Sequence, residues 1–264
     1  MNMLQAEQLT FRVGRKQLIH QVDVSVSQGS FTAIVGPNGA GKTTLLNLLD
    51  GDAAPSAGQV MLHGTALATI NRLDLARQRA VLPQLGSVPF AVKVRDIVAL
   101  GREPYRYHQY QRYNQAVIDD CLLTADIADF ARHHYHTLSG GEQHRVQIAR
   151  TLAQIHHRPN ADLSEKILFL DEPTNHLDIR HQYRLMHYLK QQQDKGLTIV
   201  AVMHDLSLTL QYAEQIILLN QGQKTGSYSP RQLVDSEDLS AVYQMNMRVR
   251  WDSEWQRYII APMM

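Results

Sequence analysis

The sequence predicts an α/β fold organised around a parallel sheet. Three apolar runs carry the inference: Phe31–Val35, 167–170 and 198–203, each bounded by polar or glycine residues. Short continuous apolar runs of this kind are what strands covered on both faces look like. The first leads through a glycine-rich loop into the breaker-free stretch Lys42–Leu49, where Leu45, Leu46, Leu48 and Leu49 offer a helix face to bury. The other two end on carboxylates or a histidine.

Upstream, Val22, Val24 and Val26 alternate with Asp23 and Ser25, the period-two pattern of a half-buried strand. From 84 to 164 the spacing changes to three or four residues, over Val94–Leu100, 116–131 and 141–155, which predicts an inserted helical subdomain. The polar stretch 156–165 reads as a surface loop returning to the sheet. A helix near 239–243 and an alternating stretch from 247 to 260 form a C-terminal appendage. The expected organisation is one domain over 1–264, with a core from 1–83 and 165–234, the helical subdomain at 84–164 and the appendage at 235–264.

Composition narrows the function. With 264 residues, 44% hydrophobic and 19% charged, the chain supports a substantial core. A formal net charge of +1 gives no overall field to recruit nucleic acid or an anionic membrane. Cys121 is the single cysteine, which fits a reducing compartment. No run approaches the roughly 20 apolar residues of a spanning helix, and the opening MNMLQAEQLTFRVGRKQ has no leader pattern. A role at a membrane therefore requires a spanning partner.

The loop Gly36, Pro37, Asn38, Gly39, Ala40, Gly41, Lys42, Thr43, Thr44 fits Gly-x-x-x-x-Gly-Lys-Thr, in which backbone N–H groups wrap a polyphosphate at a helix start. Glycine lets the backbone approach oxygen atoms, Lys42 reaches terminal phosphates and the Thr43 hydroxyl suits Mg²⁺. Asp171 and Glu172 end an apolar strand, where open α/β sheets present ligand sites. Asp171 is suited to the Mg²⁺ shell and Glu172 to polarising an attacking water. His204 follows another apolar strand and reaches the same edge if the strands are parallel. Gln84, after Val81-Leu82-Pro83, has an amide able to touch Mg²⁺ or water.

Together with Leu138-Ser139-Gly140-Gly141-Glu142 between loop and carboxylates, these residues resemble the ATP-binding-cassette (ABC) family. Many of its members have Gln where this chain has Glu142. Ser139, Gly140 and Gly141 open a helix and so make a second anion-binding terminus. The resemblance implies a P-loop NTPase core sheet with an antiparallel β subdomain and the inserted helical subdomain. It also implies ATP and Mg²⁺ as ligands, a head-to-tail pair in which Ser139 faces the partner's nucleotide, Gln84 as Q-loop, Asn175 to Asp178 as D-loop and His204 as switch histidine. An adenine-stacking aromatic is expected near Val13, where Phe11 is a candidate.

A lone cassette looks like the separate motor of bacterial importers, at the cytoplasmic face of the inner membrane beneath a multi-span permease, with a periplasmic binding protein as an indirect partner. Residues 94–104 (VRDIVALGREP) resemble the iron-chelate, haem and vitamin B12 subgroup. The insertion at 154–166 is similar to that of haem importer ATPases, leaving ferric siderophore or vitamin B12 as alternative cargoes and a ribosome- or DNA-acting cassette as the rival of another class. His133, His134, His136, His156 and His157 show no ligand spacing and are expected on a solvated surface. The tyrosine-rich 105–113 is likewise expected at the subdomain surface.

Overall fold

The computed structural model describes residues 2–83 and 91–262, and the chain divides into two compact units. The first contains residues up to Thr69 and from Thr198 onward; the second is Ile70–Leu197.

The first unit opens with strands β1 (Asn2–Val13) and β2 (Lys16–Ser27), antiparallel and joined by a tight turn at Gly14, whose φ is 58°. The five-residue strand β3 (Phe31–Val35) is buried along its whole length and is followed by helix α1 (Lys42–Leu49). Strands β4 (Ala57–Leu62) and β5 (Thr65–Ala66) complete a four-stranded antiparallel sheet in the order β2-β1-β4-β5. In the second unit come α2 (Arg72–Gln78), β6 (Arg79–Leu82), α3 (Val94–Leu100), α4 (Asn114–Thr124), α5 (Gly140–Ile155), β7 (Ile167–Asp171) and α6 (Ile179–Asp194), with β6 and β7 parallel. The chain returns to the first unit through β8 (Thr198–Val202), α7 (Leu206–Tyr212), β9 (Gln215–Asn220) and β10 (Gln223–Tyr228). There β3 lies between β8 and β9, parallel to both, and β10 runs antiparallel to β9. The C-terminal residues form α8 (Pro230–Asp235), α9 (Asp238–Tyr243) and a hairpin of β11 (Met247–Asp252) and β12 (Arg257–Pro262).

The helical stretch expected over 116–131 is shorter. Helix α4 stops at Thr124 because Asp126 takes a left-handed φ of 57° and the Ile127 N–H turns back onto Leu122 O at 3.0 Å, which caps the helix end. Residues Ala128–Phe130 then form a 3₁₀ turn.

Helix α5 is fixed at both ends. Ser139 caps its start in a reciprocal box with Glu142. At its far end the guanidinium of Arg102, 3% exposed, donates to Ala153 O at 2.5 Å, His156 O at 2.5 Å, His157 O at 3.2 Å and Asn114 Oδ1 at 2.9 Å. A buried cation satisfied by the carbonyls of a helix C-terminus gains from the negative end of the helix dipole. Tyr105, below that guanidinium, donates its hydroxyl to Gln154 O at 3.0 Å. Tyr105 is therefore core and not surface, in contrast to Tyr107, which is 92% exposed.

Two of the histidines expected at a solvated surface are half-buried in this region, whereas His133, His134 and His136 are exposed. The Tyr188 hydroxyl lies 2.9 Å from His156 Nε2, and burial, with Lys195, His157 and Arg102 nearby, brings the His156 pKa down to about 4. An unfolded histidine titrates near 6.5, so below that pH the unfolded chain takes up a proton that the folded ring refuses. The contribution is complete above pH 6.5 and is lost as pH falls towards 4, at roughly 1 kcal/mol per pH unit. His156→Gln is expected to flatten the fall in urea midpoint between pH 6.5 and 4.5; a midpoint that falls as steeply in the variant would refute the assignment.

Candidate active site

In the first unit the parallel pairing of β3 with β8 sets Ile34 beside Val202, and the Met203 N–H donates to Ile34 O at 3.1 Å. Gly36 and His204 therefore leave the sheet side by side at its carboxyl edge, as their apolar runs imply. His204 is exposed there, and the following Asp205 caps α7 by accepting from Ser207 N at 2.8 Å and Leu208 N at 3.0 Å.

The loop from Gly36 to Gly41 is shaped by close backbone approach. A Cβ on Gly36 would stand 2.1 Å from Leu219 O, so no side chain fits. Gly41 takes φ 97° and precedes α1 without any side-chain cap. A helix start preceded by a glycine-rich loop is the geometry in which backbone amides and the helix dipole bind anions. Ala40 is pinned by its carbonyl, which accepts from Gly222 N at 2.9 Å, while Asn38 and Gly39 are exposed at the tip. Lys42, only 6% exposed, points its ammonium back over the loop to Gly36 O at 2.9 Å and Pro37 O at 3.1 Å. Thr43 and Thr44 follow, half-buried. Tyr243 from α9 lies against the same loop: burial raises its pKa, and the Gly36 amide beside its phenol oxygen works in the opposite direction.

In the second unit Asp171 is the last residue of β7 and 4% exposed. Glu172, half-buried, adopts a left-handed φ of 51°, and its side chain accepts from the Asn175 amide. The Asn175 N–H also bonds to Glu172 O at 3.1 Å, and Gln182 of α6 holds Thr174 O and Leu177 O at 3.2 and 3.1 Å. Asp178 caps α6, accepting from His181 N at 2.9 Å and lying 2.8 Å from His181 Nδ1. Both contacts hold its carboxyl below the usual range.

The Ser139 turn is in the same unit. Ser139 is exposed, its hydroxyl donates to Glu142 Oε2 at 2.7 Å and its N–H to the same oxygen at 2.8 Å, which lowers the Glu142 pKa. Nothing lies within 4 Å of a Cβ built on Gly140, whereas one on Gly141 would stand 2.8 Å from His176 O. Helix α5 and the loop after Glu172 thus meet backbone to backbone.

Gln84 lies outside the described residues. Thr43 and Asp171 offer a hydroxyl and a carboxylate, the hard oxygen donors Mg²⁺ prefers. Among the described residues no three His, Cys, Asp or Glu side chains gather into a cage. The candidate for base stacking, Phe11, is half-buried on β1 with a register partner in Ile19, and Val13 is 59% exposed at the hairpin tip.

A family model described as "ABC transporter" matches residues 19–175. The chain belongs to the ABC transporter family. Its cassette is the ATPase module of that family, as the loop and carboxylates lead one to expect. A hemin import ATP-binding protein of Rhizobium meliloti (strain 1021) is 39% identical over 94% of this chain and 93% of its own length. One of Pseudomonas fluorescens (strain Pf0-1) is 34% identical over 96% of each. Among solved structures, a chain of an inward-facing transporter assigned to the metal-chelate type is 26% identical, with a TM-score of 0.79 over 100% of this chain and 98% of the other. A dimeric bacterial ABC transporter cassette is 27% identical, with a TM-score of 0.75 over 87% and 99%. The α/β fold is thus that of the ABC cassettes.

Sequence reasoning missed two side chains that this cassette places beside the acidic loop. His144, 3% exposed, bonds Pro173 O, and Arg145 meets His181. The available signal was helical spacing: His144 falls on the same face of α5 as Ile148, Thr151, Leu152 and Ile155, where an apolar residue is expected.

Because the atom opposing Gly36 is a backbone carbonyl and cannot swing away, Gly36→Ala should lower stability by a few kcal/mol and abolish binding of a fluorescent ATP analogue. Wild-type melting temperature together with wild-type nucleotide affinity would contradict the packing argument.

Proposed function

We propose that this chain is the ATP-hydrolysing subunit of a bacterial haem importer. It works as a head-to-tail pair beneath a multi-span permease at the cytoplasmic face of the inner membrane and is served indirectly by a periplasmic haem-binding protein. The observation that carries the nucleotide reading is the uncapped start of α1 with the buried Lys42 beside it. The haem reading is supported by the relatives named as hemin import ATP-binding proteins, which align along nearly the whole chain. Dimeric cassettes among the similar structures support pairing. No helix among the described residues is long and apolar enough to cross a membrane, so the spanning path belongs to the partner.

In this reading the amides of residues 36–44 and the ammonium of Lys42 hold the β- and γ-phosphates. Thr43 and Asp171 would hold Mg²⁺, with Gln84 as a further oxygen donor; the ion supplies neutralisation of phosphate charge. Glu172 polarises the attacking water, and the Asn175 amide keeps its carboxylate in one orientation. His204 contacts the terminal phosphate. Ser139 and the amides of Gly140 and Gly141 meet the nucleotide bound by the partner, and Asp178 lies at that same junction. Because each site is completed by two chains, ATP joins the pair and hydrolysis releases it. The inserted helical subdomain passes the change to the permease.

Two measurements test this. Glu172→Gln should lower phosphate release by a factor on the order of 10² to 10³, while ATP still drives dimer formation in size-exclusion chromatography; unchanged turnover would remove Glu172 from the mechanism. In the transporter reconstituted with its permease and binding protein, haem should stimulate ATP hydrolysis, and ferric siderophore and vitamin B12 should not. Stimulation by either of those in place of haem would reassign the cargo, and co-purification with ribosomes or DNA instead of a permease would reassign the class.

A further inference from the structure

His144 is a buried imidazole in the second turn of α5, on the helix face otherwise occupied by Ile148, Leu152 and Ile155. Its Nε2 lies 2.8 Å from Pro173 O. A carbonyl only accepts, so Nε2 carries the proton and Nδ1 is left as the acceptor. Nδ1 is buried without a hydrogen-bond partner, and burial lowers the pKa of the ring, which stays neutral. An apolar side chain would fill this position without an orphaned nitrogen, so packing alone does not account for histidine here.

The carbonyl it holds belongs to the residue after Glu172. Glu172 has the left-handed φ of 51°, a conformation a non-glycine residue keeps only when its surroundings enforce it. The neighbours of His144 on α5 reach the same loop. Gly141 meets His176 O, and Arg145 meets His181 Nε2, while His181 Nδ1 lies 2.8 Å from Asp178 Oδ1. The first two turns of α5, which begin at Ser139, thus run along the segment from Pro173 to His181.

We propose that His144 is a positioning residue for ATP hydrolysis: its Nε2–H holds the Glu172–Pro173 turn to the helix that starts at Ser139, so one helix aims both the carboxylate and the partner-facing serine. This rests on the reading of Glu172 as the residue that polarises water. It predicts a defect in turnover without one in nucleotide affinity.

The test uses the full chain. His144→Met removes the donor, and His144→Gln keeps an N–H at the end of a side chain of similar reach. We expect the methionine variant to lose about tenfold in kcat with KM for ATP within about twofold of wild type, and the glutamine variant to recover kcat to within about threefold. ATP-driven dimer formation in a Glu172→Gln, His144→Met double variant should match Glu172→Gln alone. Wild-type kcat in His144→Met, an equal loss in the glutamine variant, or a loss expressed in KM would overturn the proposal. If melting shows the methionine variant unfolded, His144→Phe repeats the test, and failure of both donor-less variants to fold would make His144 a residue of the fold alone. Glu172→Gln assayed in parallel separates the two claims: if it retains turnover the underlying reading fails, and if it is inactive while His144→Met is normal, only the present inference fails.

Discussion

A buried positive charge at the end of a parallel strand is the constraint around which this cassette is built. The Lys42 ammonium is almost wholly removed from water and reaches the carbonyls of Gly36 and Pro37. Those carbonyls are hydrogen-bond acceptors that help offset the desolvation of a buried ammonium. The rest of the first unit serves that point. Parallel pairing of β3 with β8 and β9 brings strand ends to one edge, Gly36 lets the loop pass against Leu219, and the start of α1, which has no side-chain cap, adds the positive end of a helix dipole.

The second unit repeats the principle with different means. Its anion-seeking terminus is the start of α5, but there the cap is filled: Ser139 donates to the Glu142 carboxylate twice, through hydroxyl and amide. In the proposed site, a phosphate arriving at Ser139 would exchange with a carboxylate already in place, and like charges would stand close together. Arg145 lies near enough to pull the Glu142 pKa down and so moderates that repulsion. At the opposite end Arg102 neutralises the carbonyls of the same helix. Both termini of α5 are thus held by side chains, Ser139 and Glu142 at one end and Arg102 at the other.

How much of this was legible follows from the kind of signal each element leaves. The limits of β3, α1 and α3 are those read from apolar runs and leucine spacing, because continuous burial writes itself plainly into residue type. Helix α6 left no such trace. Its sequence IRHQYRLMHYLKQQQD buries Leu185, Met186 and Leu189 but also Gln192 and Gln193, and buried amides look like surface in a hydrophobicity pattern. Strand β10 is an alternately exposed edge and reads as loop. The phosphate loop, the acid pair and the Ser139 turn were legible because their chemistry needs fixed residue types at fixed spacing. Arg102 leaves little trace in the sequence, since three of its four partners are backbone carbonyls 51 to 55 positions away, and carbonyls have no signature in sequence.

The same reasoning explains why the informative departures in this chain cluster on α5. Position 142 carries a carboxylate and position 144 an imidazole, two residues apart at the start of one helix, and the two lie on different faces. Glu142 turns back to its own cap, where its charge acts on whatever approaches Ser139. His144 turns inward, where its charge is suppressed and its single N–H acts on the loop after Glu172. A titratable side chain thus contributes charge at the exposed cap and direction in the dry interior, and burial alone decides which. Exchanging the two would bury a carboxyl against the Pro173 carbonyl, where it could donate only after taking up a proton that a neutral imidazole already carries.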